Sequence, residues 1–142
     1  MTIRKVHGVT VDADTVDGND SAAMLGVGAF VKDETRASDA ESGDVAYTGY
    51  GFQPVSLIII GNTGTSISLG RSNASLAEIC VTINADGSSI VSSAYVTRSD
   101  PGATNHQDAV LKTYDADGFT LTWTKNGVAH GTFAFTVFAF KG

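Results

Sequence analysis

From Gly43 onward the sequence is cut, about every ten residues, into short β-prone runs by clusters of Gly, Asn and Asp. No segment repeats apolar residues at helical spacing over enough turns to make a long helix. A chain of this texture can bury its apolar positions only by laying one antiparallel sheet on another, so about eight strands in a β-sandwich or jelly roll are expected. Val55-Ser-Leu-Ile-Ile-Ile60 is apolar almost throughout and predicts a central strand covered on both faces. Asn62-Thr-Gly64 turns the chain into the alternating Ser66-Ile-Ser-Leu69, and Asn84-Ala-Asp-Gly87 predicts a hairpin. After the turn Asp115-Ala-Asp-Gly118, the run Phe119-Thr-Leu-Thr-Trp-Thr124 has period two, which places Phe119, Leu121 and Trp123 together and predicts a buried Trp123. Lys125-Asn-Gly127 predicts a hairpin onto the last run, 132–140. There Phe133, Phe135 and Val137 share one face and Phe138 and Phe140 the other, so a bulge near 137–138 or burial on both sides is expected. The stretch 97–107, with Asp-Pro-Gly at 100–102, reads as a long exposed loop.

Residues 1–42 are different. Asp12, Asp14, Asp17, Asp20, Asp33, Glu34, Asp39 and Glu41 crowd this part against Arg4, Lys5, Lys32 and Arg36, and its few apolar residues cannot make a core of their own. The expected division is an extended arm over 1–42, with one short helical turn near Ser21–Leu25, and a β-sandwich head over 43–142. Met24, Leu25, Val27 and Phe30 are the arm's candidates for oligomerisation or attachment, because they need a second copy or another partner to cover them.

Charge and composition exclude several roles. The 142 residues carry 9 Lys plus Arg against 15 Asp plus Glu, a net charge of −6, which opposes binding to nucleic acid and to anionic membranes. The N-terminus lacks the apolar core of a signal peptide, and no apolar run is long enough to span a bilayer as a helix. Cys80 is the single cysteine and lies in an apolar run, so no intrachain disulfide can form and a buried, inert thiol is expected.

Catalytic patterns are missing. His7, His106 and His130 form no pair at metal-ligand spacing, and no nucleophile elbow, zinc-protease or phosphate-loop motif occurs. Ser99, Asp100, His106 and Asp108 fall in one stretch, too close in sequence to orient one another as a triad. The acidic run 12–20 imitates a calcium loop, but Val16 and Ala23 occupy positions that need oxygen ligands. No enzyme activity, metal or cofactor is therefore expected. Tyr47, Tyr50 and Tyr95 are the aromatics expected at the surface, where tyrosine suits sugar stacking. Arg98, Asp100, Asn105, His106 and Gln107 form the densest set of hydrogen-bonding groups. With Tyr50 and Tyr95 they are the candidate ligand site for a hydroxyl-rich ligand, and alanine at 105–107 is expected to leave stability unchanged.

Ala13-Asp-Thr-Val-Asp-Gly-Asn-Asp-Ser21 resembles the A-D-T-[LV]-D-G-x-x-[AS] element of bacteriophage tail-fibre and related virion proteins. Gly43-Asp-Val-Ala-Tyr-Thr-Gly-Tyr-Gly-Phe-Gln-Pro54 and the strand after it resemble, more loosely, a β-sandwich found at the C-termini of phage fibres. The resemblance implies a virion protein assembled in the host cytoplasm, a homotrimer attached to other virion proteins through the arm, with a head that meets a host-surface glycan. No shaft separates the arm from the sandwich, so a head-fibre or capsid decoration protein without a receptor stands as the alternative. A small glycan-active enzyme is the third reading.

Overall fold

Among the described residues, runs in which Thr and Ser alternate with branched or aromatic residues fold into ten strands, with no helix. The computed structural model describes residues 28–142 apart from 75, 103 and 129, and the side chains of 76, 77 and 100–102 are likewise outside the description. In chain order the strands are β1 (Ala29–Ala37), β2 (Gly43–Thr48), β3 (Pro54–Asn62), β4 (Ser66–Asn73) and β5 (Leu76–Asn84). They continue with β6 (Ser89–Ser92), β7 (Thr97–Gly102), β8 (Asn105–Asp115), β9 (Gly118–Asn126) and β10 (Thr132–Lys141). One sheet has the order β1-β10-β3-β4-β5-β6 and the other β2-β9-β8-β7. Every pairing is antiparallel, and the two sheets pack into a β-sandwich.

The core follows the period-two pattern. Phe119, Leu121 and Trp123 of β9 meet Phe133, Phe135, Val137 and Ala139 of β10, with Leu57 and Ile59 of β3 beside them. All are buried, and Trp123 is 0% exposed. Each large apolar side chain so buried contributes roughly 1.5–3 kcal/mol. The rings meet edge-on or stacked: Trp123 lies 6.2 Å from Phe133, and Phe133 lies 5.2 Å from Phe135, between centroids. The turns at 62–64, 84–87 and 115–118 each join paired strands, as expected.

Several expectations are corrected. The sandwich begins at Ala29 rather than Gly43, because β1 pairs with β10 over nine consecutive positions, Ala29↔Phe140 to Ala37↔Thr132. Phe30 therefore belongs to the sandwich, whereas Met24, Leu25, Val27 and the helical turn near Ser21 lie outside the described residues. The segment 97–107 forms β7 and the start of β8 rather than a long loop, since Thr97, Arg98 and Ser99 pair with Ala109, Asp108 and Gln107. Lys125-Asn-Gly127 closes no hairpin: β9 and β10 belong to different sheets, and the turn carries the chain across the sandwich. No bulge occurs at 137–138, because β10 keeps register with β3 from Ala134 to Phe140. β3 is central but covered on one face only, leaving Ile60 41% exposed.

Candidate interaction face

The residues nominated from sequence do not form one site. Arg98 on β7 and Asp108 on β8 are opposed in register and make a two-pronged ion pair, Nε to Oδ1 at 2.6 Å and Nη2 to Oδ2 at 3.0 Å. His106 Nε2 lies 3.5 Å from the same carboxylate, and its Nδ1 is buried with no partner among the described residues. The Arg98 guanidinium stacks on the Tyr95 ring at 4.6 Å, which holds the cation over the negative face of the ring. Tyr95, Arg98, His106 and Asp108 are thus brought together. Gln107 points the opposite way, fully buried, where its Nε2 donates to Ser38 O at 2.6 Å and Ala40 O at 3.0 Å. Asn105 is used structurally, its Oδ1 accepting from the Val128 N–H at 3.0 Å. The side chain of Asp100 lies outside the described residues.

The expected sugar platforms are inside the protein. Tyr47 is buried, and Tyr50 and Tyr95 are 3% and 4% exposed. Tyr50 packs against Phe119 and Phe30 and donates its hydroxyl to Glu34 Oε1 at 3.3 Å. Burial pushes the Tyr47 phenol up to about 12 and the Tyr50 and Tyr95 phenols above their ordinary range. The Ser99 hydroxyl is buried toward Ser38, while His106 and Asp108 lie together beside Arg98, so the hydroxyl that a triad would need is apart from the other two groups. Cys80 is fully buried and its thiol is pushed up by desolvation, so it has little thiolate character. Among the described residues no cluster of His, Cys, Asp or Glu could hold a metal ion.

The unusual surface lies on the other sheet. β4 is inside out: Ser66 and Ser68 are 4% and 0% exposed, whereas Ile67 and Leu69 are 51% and 49% exposed. The inward side of this region is small and polar because the sheets close tightly there. Ser68 Oγ shares a hydrogen bond with Thr97 Oγ1 at 2.9 Å and accepts the Arg98 N–H at 3.0 Å. At Gly70 a Cβ would lie 1.7 Å from Val96 O, so no side chain fits. The aliphatic side chains of β4 therefore go outward, where register joins them to neighbours of the same kind: Ile60↔Leu69↔Val81↔Val91 and Ile67↔Ile83. Val31, Phe138 and Ile58 form the adjoining row.

The grooves on this face have volumes of about 480 Å³ by Asp33, Ile60 and Ala134, about 290 Å³ by Ile58, Leu69 and Val81, and about 250 and 280 Å³ near the strand ends. The outer face of the four-stranded sheet is the contrast. It carries the Lys112–Asp44 pair, the Thr122 hydroxyl donating to Asp44 at 2.6 Å, and the Arg98–Asp108 pair, all suited to water. The signal for the apolar face was present in the Ser-Ile-Ser-Leu and Val-Ser-Leu-Ile-Ile-Ile runs, but alternation alone does not say which side faces in. No protein-family model, curated protein or solved structure matches this chain.

Proposed function

We propose that this chain is a non-enzymatic structural component of a bacteriophage particle, assembling as a homotrimer through a broad apolar sheet face. The observation that carries the assembly role is the inverted β4, which turns Ile67 and Leu69 outward on a sandwich whose core is already filled. Soluble monomers rarely expose contiguous apolar areas of more than about 300–600 Å². The particle assignment draws on the fibre-like element at 13–21 and the Gly43–Pro54 segment. Covering or stabilising the particle is favoured over reading a receptor, because Tyr50 and Tyr95 are packed inside and Gln107 is committed to backbone carbonyls.

The second reading, a fibre head that meets a host glycan, draws on His106, with its unpartnered Nδ1 beside Arg98 and Asp108. Imaging of particles grown with and without the protein tests both. Loss of an external density together with lower heat resistance, with adsorption unchanged, is expected. Lost adsorption favours the glycan reading, and particles that never contain the protein refute both.

A further inference from the structure

We infer that Asn126 is a site of spontaneous covalent modification, where the folded chain converts its own carboxamide to an aspartyl or isoaspartyl group through a cyclic imide with Gly127. This stands apart from the assembly role proposed above. Asn126 ends β9, and Gly127 opens the segment that carries the chain across to the other sheet. Ring closure needs the backbone nitrogen of the following residue to reach the side-chain carbonyl carbon. Of the six asparagines only Asn126 precedes a glycine; Asp20, Thr63, Ala74, Ala85 and His106 follow the others, each with a Cβ that crowds the attacking nitrogen.

The structure leaves both reacting groups unengaged. The Asn126 carboxamide has no hydrogen bond among the described residues, and neither has the Gly127 N–H. By contrast Asn62 Oδ1 accepts from the Gly64 N–H, Asn84 donates to Ser88 Oγ at 3.1 Å, and Asn105 Oδ1 accepts from the Val128 N–H at 3.0 Å. The Asp-Gly pairs of the sandwich are also held. Asp86 accepts from the Ser88 N–H at 2.8 Å, and Asp117 from the N–H groups of Gly49 and Gly51 at 3.0 and 2.6 Å. These donors favour the carboxylate, which a backbone nitrogen does not attack. Gly127 is exposed, so water reaches the ring once it forms. The fold also keeps the reactive pair in place. Gly127 has φ +71°, and a Cβ there would lie 2.2 Å from Asn105 Oδ1, so glycine is required.

In the first step the Gly127 nitrogen gives its proton to water and bonds to Asn126 Cγ. The Cγ–Nδ2 bond breaks, and Nδ2 leaves as ammonia after taking up a proton. Water then opens the imide. Attack at Cγ gives an aspartyl residue, and attack at the main-chain carbonyl gives an isoaspartyl residue whose backbone runs through Cβ and Cγ. The balance is one water consumed and one ammonia released, with no change of oxidation state. Either product puts a carboxylate opposite His106 in register, one outward position from the Arg98–Asp108 pair. The isoaspartyl form also adds a methylene to the main chain beside the Val128 N–H that Asn105 holds. The change is one-way, so it records the age of the folded protein in its charge and in the shape of this crossing.

Peptide mapping of the full chain tests the inference. Trypsin releases residues 126–141 as a single peptide, in which Asn126 is the only side-chain amide. The folded chain is incubated in mildly alkaline buffer made with heavy-oxygen water, then digested. The peptide is expected to gain the mass of an NH2-to-OH exchange, with the oxygen drawn from solvent, before any other asparagine changes. It should separate into two forms, one of which accepts a methyl group from an isoaspartyl methyltransferase. Isoelectric focusing should show one added negative charge. Asn126→Gln should lack the acidic form, because the larger ring closes more slowly, and should leave the Trp123 emission unchanged. A native chain whose 126–141 peptide keeps its mass, while the urea-unfolded chain gains it, overturns the inference. So does earlier conversion at another asparagine, or an Asn126→Gln chain that acidifies at the native rate.

Discussion

Gln107 ties β8 to the segment 36–40, which is far from it in sequence. Its Nε2 holds the carbonyls of Ser38 and Ala40, and its Oε1 accepts from Arg36 Nε. Arg36 in turn lies 4.7 Å over the Trp123 ring and donates from Nη2 to Glu41 O at 2.8 Å. Gln107→Ala leaves buried carbonyls and a half-desolvated guanidinium without their partner, and should lower stability by about 1–3 kcal/mol in urea unfolding. Alanine at 105–107 is therefore not silent. This role was illegible because Gln107 sits in a polar stretch after Pro-Gly, and what buries it is a partner 71 residues away. The tyrosines were misread for the same reason: their burial depends on which strands cross above them. Their chemistry gives a test. Desolvation holds Tyr47 at about 12 and Tyr50 higher still, so the folded state retains protons that the unfolded chain gives up near the ordinary value of 10. The associated stability is complete below pH 10 and is lost as pH rises from there toward 12. In an alkaline titration, phenolate absorbance from these two residues should appear together with unfolding. A full rise near pH 10 with the fold intact would contradict their burial.

β9 was the most legible element, because strict alternation of Phe119, Leu121 and Trp123 with threonines leaves one way to face the core. β1 was the least. Lys32, Glu34 and Arg36 break any apolar pattern, yet each finds a place at the rim of the sandwich: Lys32 Nζ donates to Thr48 O at 2.7 Å and pairs with Glu34 at 2.9 Å. Charges suit an edge strand, and β10 supplies its template. β4 was legible as a strand but not in its facing. Its orientation is set by close approach to the segment before β7, which only glycine at position 70 permits. Gly70→Ala should force the two backbones apart and destabilise the protein by about 3 kcal/mol, the upper end for overpacking, as read from its urea midpoint. Little change there would mean that the sheets are not so tightly closed.

Across the whole molecule, the texture of the sequence conveyed the two-sheet architecture. It did not convey that the two outer faces differ, one a lattice of Thr hydroxyls and ion pairs, the other a field of Ile, Leu, Val and Phe. Facing is a property of how two sheets meet, and a single strand's alternation contains no record of it. The edge position of β1 has a further consequence. Its nine pairings are what cover the free side of Thr132–Lys141, a strand with four phenylalanines, one valine and no proline. A fragment that starts at residue 43 uncovers those backbone groups and presents a sticky, β-rich ribbon to any other copy in solution. Such a fragment should not behave as a smaller, monomeric head. It should precipitate or grow thioflavin-positive fibrils, while a fragment that starts at residue 28 stays soluble. The first strand is in this sense a built-in guard against amyloid, and cleavage between residues 37 and 43 would disarm it.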